Sequence, residues 1–197
     1  NGGIVNLNGG FITRNTSGDV GGGVVTVNGG TTTLNGATIS DNSAARNGGG
    51  VYVQGSNAGK ETVFEMKDGA ITANAATGGF GGGIYALYHT GKITVRISGG
   101  SITDNVMRMS GAAVGLEGEG GNYPSIELSG TPNIEGDVFL YDREEGPVIH
   151  ITGAFAPAEP IVLSVNRGAA GTVAVSYAEG IEPDAGQFVS ESETIGL

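Results

Sequence analysis

Cysteine is absent from the 197-residue chain. This excludes a disulfide framework, a thiol nucleophile and a cysteine-based metal site. Basic residues are few, since nine Lys and Arg stand against 20 Asp and Glu for a formal net charge of −11. Nucleic acid and anionic membranes are therefore unexpected partners, because both require a basic stripe. No apolar run approaches the roughly 20 residues of a membrane-spanning helix, so we predict no membrane insertion in this segment.

Motifs for cofactors and metals are also missing. His89 and His150 lack the paired spacing of a metal site. The glycine runs are followed by neither Lys-Ser/Thr nor the start of a helix, so they are not phosphate-binding loops. We therefore predict no cofactor, no metal and no catalytic residue.

Glycine is abundant instead, with 39 residues, and a glycine-rich strand recurs along the chain. Its four copies begin about 30 residues apart and occupy 21–26, 48–53, 81–86 and 111–116. Such a period is typical of repeat architectures. Two further landmarks keep the same order in each unit. One is a short strand with an apolar last residue, at 5–7, 32–34, 64–66, 95–97 and 126–128. The other is Ile-x-x-Asn, at 12–15, 39–42, 71–74 and 102–105, with a degenerate copy at 134–137.

Each unit thus holds three short strands, which cannot bury an apolar face without stacking on another unit. This pattern predicts an all-β fold: a single-stranded right-handed parallel β-helix, or solenoid, with three strands and about 30 residues per coil. Residues 1–137 are expected to form regular coils, and 138–197 divergent coils and a cap of the same domain. The first residues, 1–3, look like the middle of a repeat, which predicts a segment of a longer protein. We expect a monomer.

Stacking predicts which side chains align. Three inward columns are expected: Leu7, Leu34, Met66, Ile97 and Leu128; Ile12, Ile39, Ile71, Ile102 and Ile134; Val24, Val51, Ile84 and Val114. A fourth column, of Asn15, Asn42, Asn74 and Asn105, should form an amide ladder at the turn. Outward columns include the polar set Thr13, Ser40, Thr72 and Thr103 and the ionic set Glu65, Arg96 and Glu127.

Tyr52 and Tyr85 share one outward position on adjacent coils, and they are our candidate ligand-binding residues. Stacked exposed aromatic rings can form a platform for sugar rings. The long polar segments 54–62 and 117–125 are expected to protrude as loops, and 54–62 and 88–92 to flank the platform. The alternative is a cross-strand aromatic pair that only covers the sheet.

A glycosidase would need two carboxylates about 5–10 Å apart. Asp41 and Asp104 share a turn position two coils apart, which corresponds to about 10 Å. We interpret them as solvated turn residues instead.

The combination of Ile-x-x-Asn with a Gly-Gly-x-Val/Ile strand resembles the paired motifs of the chlamydial polymorphic outer-membrane proteins. It is also similar to the Gly/Asn-rich β-helix repeats of large surface proteins in gut and oral bacteria. Ile12, Ile39, Ile71 and Ile102 stand where the chlamydial motif has Phe, and 21–24, 48–51 and 81–84 match its second motif with Gly for Ala. The resemblance covers about 1–140. It implies a surface-exposed or secreted passenger used in adhesion.

Two functional hypotheses follow. The first is a non-enzymatic adhesin-like scaffold at the bacterial surface or outside the cell, which binds carbohydrate or a host surface. The second is a carbohydrate-active β-helix enzyme, either a polysaccharide lyase or a glycosidase. Columns of Thr and Ser on one face favour the scaffold, whereas clustered carboxylates in a groove would favour the enzyme. A spacer that only projects another domain is a third possibility.

Overall fold

The computed structural model describes residues 2–118, 122–141, 149–166 and 175–190. These residues form 19 β-strands and one 3-10 turn, Ala185–Gln187, and they contain no α-helix. The strands are β1 (Ile4–Leu7), β2 (Phe11–Thr13), β3 (Thr16–Ser17), β4 (Val24–Val27), β5 (Thr31–Ser40), β6 (Ser43–Ala44), β7 (Val51–Thr72), β8 (Ala75–Ala76), β9 (Ile84–Ile97), β10 (Ser101–Thr103), β11 (Val106–Met107), β12 (Val114–Glu117), β13 (Ser125–Gly130), β14 (Asn133–Ile134), β15 (Asp137–Tyr141), β16 (Ile149–Phe155), β17 (Ile161–Asn166), β18 (Val175–Tyr177) and β19 (Phe188–Ser190).

Every strand pairing joins parallel strands of neighbouring coils. The larger sheet follows the order β1-β5-β7-β9-β12-β15-β17-β19, with shorter strands pairing beside this path. A smaller sheet contains β3, β6, β8 and β11. Together the strands build a β-solenoid of about six turns with a spacing of roughly 30 residues. The predicted β-helix is confirmed.

The interior is filled by the three predicted apolar columns, whose members face one another in register. From the second coil onward these side chains are buried. Leu7, Ile12 and Val24 of the first coil are only partly buried. Burying one such side chain stabilises the fold by about 1.5–3 kcal/mol relative to exposure.

The predicted asparagine ladder is confirmed and is directional. The side-chain oxygen of Asn42 accepts hydrogen bonds from the backbone N–H and the side-chain amide of Asn15, at 3.0 and 2.9 Å. In the same way, the side-chain oxygen of Asn74 accepts both hydrogen bonds from Asn42, and that of Asn105 accepts both from Asn74. The residue before each asparagine lies in the left-handed region, with φ between 54° and 57°: Arg14, Asp41, Ala73 and Asp104. The ladder therefore closes a tight turn in each coil.

Glycine is required in the runs for two reasons. The first residue of each run has a positive φ, as at Gly48 (67°). The next two lie against the following coil, and a Cβ at Gly50 would lie 2.7 Å from the carbonyl oxygen of Gly83. The fourth run reads Gly111-Ala112-Ala113. Alanine fits there because the next coil has no glycine run, and Val138 pairs directly with Val114.

One expectation about the connections requires correction. Residues 54–62 are not an irregular loop, because they belong to β7 and pair with β9 at Ser56↔Thr90, Glu61↔Lys92 and Thr62↔Ile93, with register shifts on either side of Ser56. Adjacent coils carry insertions at the same corner, so part of each insertion satisfies its backbone groups by pairing with the other. The second expected loop, 117–125, is described except for 119–121. Of the divergent region 138–197, strands β15, β17 and β19 continue the stack, and 142–148, 167–174 and 191–197 lie outside the described residues.

Candidate functional site

Tyr52 and Tyr85 lie in register on β7 and β9, and their rings stack with centroids 5.9 Å apart. The predicted pairing is confirmed, but the predicted exposure is wrong, because 5% of Tyr52 and 1% of Tyr85 is accessible to solvent. The glycine turn before each strand folds back over its tyrosine. A Cβ at Gly48 would lie 3.0 Å from the Cβ of Tyr52, and one at Gly81 would lie 2.5 Å from that of Tyr85. The two rings therefore form a covered stack and not a platform.

Phe80 extends this stack across a missing side chain. Gly115 lies opposite Tyr85 on the next coil, and Phe139 lies opposite Gly115 one coil further. The ring of Phe80 occupies the gap, with centroid distances of 6.1 Å to Tyr85 and 5.6 Å to Phe139. The backbone N–H of Phe80 donates to the side-chain oxygen of Asn47 at 2.9 Å, which holds the turn in place. Four aromatic rings thus run continuously along the outer face of the sheet.

An open groove lies at the Phe80 end of this stack, with a volume of about 730 Å³. Its lining residues are Phe80, Arg108, Met109, Ser110, Glu117, Phe139, Tyr141 and Val165. The half-buried ring of Tyr141 is tilted against the stack, at 62° to Phe80 and 58° to Phe139. The groove combines the aromatic and aliphatic side chains of Phe80, Phe139, Tyr141 and Val165 with the polar groups of Arg108, Ser110 and Glu117. We call it the aromatic groove.

Glu117 is the acidic group of the aromatic groove. It lies on β12 between Leu87 and Tyr141 of the neighbouring coils. The hydroxyl of Tyr85 donates a hydrogen bond to Oε2 of Glu117. Burial raises the pKa of Tyr85 well above its ordinary value, and the carboxylate of Glu117 raises it further. Tyr85 therefore stays protonated at neutral pH and remains a donor to Glu117.

Arg108 is the basic group of the aromatic groove, in the turn that follows β11. Its backbone N–H donates to the carbonyl of Ala76 at 3.1 Å, which anchors the turn to the preceding coil. Among the residues that the structure describes, its exposed guanidinium makes no ion pair. Arg46, in an earlier turn, pairs instead with Asp19 at 3.1 Å. The exposed position of Arg108 at the edge of the groove makes it accessible to a ligand.

The carboxylates considered from the sequence remain separate from this groove. Asp41 and Asp104 are exposed and occupy left-handed turn positions, with φ of 54° and 56°. This geometry agrees with their interpretation as turn residues, since Asp tolerates it better than most residues. Asp137 accepts hydrogen bonds from the backbone N–H groups of Gly111 and Ala112, at 3.1 and 2.6 Å. Glu117 is the one carboxylate among the described residues that lines the aromatic groove.

The predicted ionic column lies on another face of the solenoid. Glu65, Arg96 and Glu127 align in register, and Arg96 pairs with Glu127 at 2.7 Å. The second carboxylate near Arg96 is Glu61, at 3.5 Å, while Glu65 pairs with Lys67. Each such pair contributes about 0.2–1 kcal/mol at a surface. This column is a stabilising feature of the coils.

The described part of the chain contains no cluster of three or more His, Asp or Glu side chains that could hold a metal ion. It also contains no helix with the length and apolar character needed to cross a membrane. Comparison with known proteins returns no matching family model, no matching curated protein and no matching solved structure.

The sequence pattern indicated Tyr52 and Tyr85 but not Phe80, Phe139, Tyr141, Glu117 and Arg108. The position of Phe139 could have been predicted from the sequence. Aligning Val138 with Val114 places Phe139 in the tyrosine column, provided that the deleted glycine run is recognised. The position of Phe80 could not be predicted in this way, because its ring reaches the column from a turn and not from a strand.

Proposed function

We propose that this protein is a non-enzymatic extracellular scaffold of the adhesin type, located at a bacterial surface, that binds a saccharide in the aromatic groove. The composition of the groove is the observation that carries this proposal. Phe80 and Tyr141 supply apolar ring surface for the C–H groups of a sugar, and Arg108 and Glu117 supply a hydrogen-bond donor and acceptor for its hydroxyls.

Binding is favoured over hydrolysis by the number of carboxylates in the groove. A glycosidase requires a second carboxylate about 5–10 Å from the first. Glu117 has no such partner among the described lining residues, and Asp137 is engaged by backbone N–H groups. Incubation with neutral and acidic oligosaccharides should release no new reducing ends and no unsaturated products. Turnover that is lost in Glu117→Gln would favour the enzyme hypothesis instead.

The outer faces also support a scaffold. Thr13, Ser40, Thr72 and Thr103 align in one column of neighbouring coils. The hydroxyls of Thr72 and Thr103 lie 3.1 Å apart, within hydrogen-bond distance. Such a column covers the surface with small polar groups, as expected for a long exposed solenoid. Antibody labelling of intact producing cells tests the location, and labelling only after lysis would contradict it.

A pair of arginine variants tests the binding site. We expect Arg108→Ala to weaken binding to a glycan array hit by about tenfold, because one charged hydrogen bond is lost. Arg46→Ala is the matched control, since Arg46 lies in a comparable turn outside the groove. Both variants should retain the far-UV spectrum of the parent. Equal binding by the two variants would exclude the groove as the site.

A further inference from the structure

The hydroxyl of Tyr85 is hydrogen-bonded to Glu117, and a stack that only covers the sheet would not require this contact. Tyr85 lies opposite Gly115, so the residue two positions further on the next coil, Glu117, is its diagonal neighbour. Gly115 places no side chain between them, and a Cβ there would lie 3.1 Å from Cδ2 of Tyr85. The buried hydroxyl of Tyr85 donates a hydrogen bond to Oε2 of Glu117.

We propose that Tyr85 is a positioning residue that holds Glu117 as the hydroxyl acceptor of the aromatic groove, and that the saccharide bound there is neutral. This inference rests on the proposed function and names the ligand class of the same site. Tyr85 acts through Glu117 and does not touch the ligand, because its ring is covered.

The geometry gives each oxygen of Glu117 a separate role. Oε2 accepts from Tyr85, which restricts the rotamers of the side chain before a ligand arrives. Within the described residues, Oε1 accepts no hydrogen bond, and it belongs to a half-buried side chain that lines the groove. A preorganised acceptor binds a sugar hydroxyl without the entropy cost of ordering a free side chain.

Charge favours a neutral sugar over an acidic one. The groove itself contains the carboxylate of Glu117, and the whole chain carries a formal net charge of −11. A uronate brought into this field meets repulsion, and Arg108 is the one basic group among the described lining residues that offsets it. A neutral sugar avoids that repulsion, accepts a hydrogen bond from Arg108 and donates one to Glu117.

Tyr52 provides a matched control within the same stack. Its diagonal neighbour on the next coil is Leu87, which cannot accept a hydrogen bond. Its ring stacks on that of Tyr85, and its hydroxyl makes no hydrogen bond within the described part of the chain. Removing the Tyr52 hydroxyl therefore leaves the hydrogen bond between Tyr85 and Glu117 in place.

The test measures binding by isothermal titration calorimetry for the parent, Y85F, E117A, the double variant Y85F/E117A and Y52F. The probes are neutral oligosaccharides of glucose, galactose and mannose, with oligogalacturonate of the same length as the acidic arm. We expect neutral probes to bind more tightly than oligogalacturonate. We expect E117A to weaken neutral binding about tenfold or more and Y85F about fivefold, with Y52F within about twofold of the parent.

The double variant separates positioning from a structural effect, since Y85F should cause no further loss in the E117A background. Equal effects of Y85F and Y52F, or a full additional loss in the double variant, would overturn the role of Tyr85. Tighter binding of oligogalacturonate would overturn the neutral ligand class. A failed role for Tyr85 or a failed neutral ligand class leaves the proposed function standing if Arg108→Ala still weakens binding. Failure of the parent to bind any probe would overturn the proposed function and this inference together.

Discussion

The side-chain oxygen of Asn74 accepts two hydrogen bonds from Asn42, one from its backbone N–H and one from its side-chain amide, each at 3.0 Å. The amide of Asn74 in turn donates to the carbonyl of Ile39 and to the side chain of Asn105. One fully buried side chain thus satisfies polar groups in three coils. The ladder couples the coils along the axis and closes each turn at the same time.

Replacing Asn74 with alanine should be strongly destabilising. The change removes the acceptor of the buried N–H of Asn42 and the amide that donates to the carbonyl of Ile39, which should lower the free energy of unfolding by about 2–5 kcal/mol. Asn15→Ala is the control, because Asn15 is exposed at the first coil and should cost about 1 kcal/mol. Urea unfolding measures both values. A loss at Asn74 no larger than that at Asn15 would contradict a ladder that couples the coils.

Replacing Gly83 with alanine should also be destabilising, by about 1–3 kcal/mol. The added Cβ would lie 2.6 Å from the carbonyl oxygen of Ala113 and 3.1 Å from the side-chain nitrogen of Asn105. Gly18 lies in an exposed turn with nothing within 4 Å of its Cβ position, so Gly18→Ala should be nearly neutral. The comparison uses thermal unfolding, and similar melting temperatures for the two variants would show that neighbouring coils do not approach this closely.

Replacing Ala73 with glycine should stabilise the protein. Ala73 is exposed and has a φ of 54°, a conformation that costs a side chain with a Cβ about 1–2 kcal/mol. Glycine adopts it freely, and after its greater chain entropy is subtracted we expect a gain of about 0.5–1 kcal/mol. Ala75→Gly, in the adjacent strand β8, should instead lose about 0.5–1 kcal/mol. A gain at both positions or a loss at both would count against strain at Ala73.

Stability should fall on acidification, in part through Glu61. The Thr94 hydroxyl donates to Glu61 at 2.6 Å and Lys92 lies 3.1 Å away, which together hold the pKa of Glu61 below its ordinary value of 4.5 despite the opposing effect of burial. A lowered folded-state pKa stabilises the protein above the unfolded pKa, and this contribution is lost as the pH falls through the folded value. Thr94→Val should therefore reduce the stability difference between pH 7 and pH 3.

The control for this pH dependence is Thr62→Val. Thr62 is buried like Thr94, but its hydroxyl accepts from the backbone N–H of Gly29 and is not bonded to a carboxylate. Its replacement should lower stability by the same amount at both pH values. The urea midpoints of both variants are measured across the pH range. Parallel curves for the two variants would show that Glu61 does not cause the pH dependence.

The sequence by itself determined the architecture of the coils. Ile39, Ile71 and Ile102 recur at a fixed distance from an asparagine, and only stacked coils bury all three while pairing the asparagines. Because each apolar column and the amide ladder depend on neighbours one period away, the repeat spacing contains nearly all the information needed to align them. The glycines at 49 and 50 follow for the same reason, since the next coil allows no side chain at these positions.

Only the tertiary structure decided what the outer face presents to solvent. The same period placed Tyr52 over Tyr85 correctly, yet it did not reveal that both rings are almost fully buried. The aromatic groove exists because Phe80 enters from a turn to occupy the space above Gly115, and because a deleted glycine run brings Phe139 into the column. Irregular insertions and deletions have no repeat to define their conformation, so their contacts depend on packing between chain segments and not on spacing along the sequence.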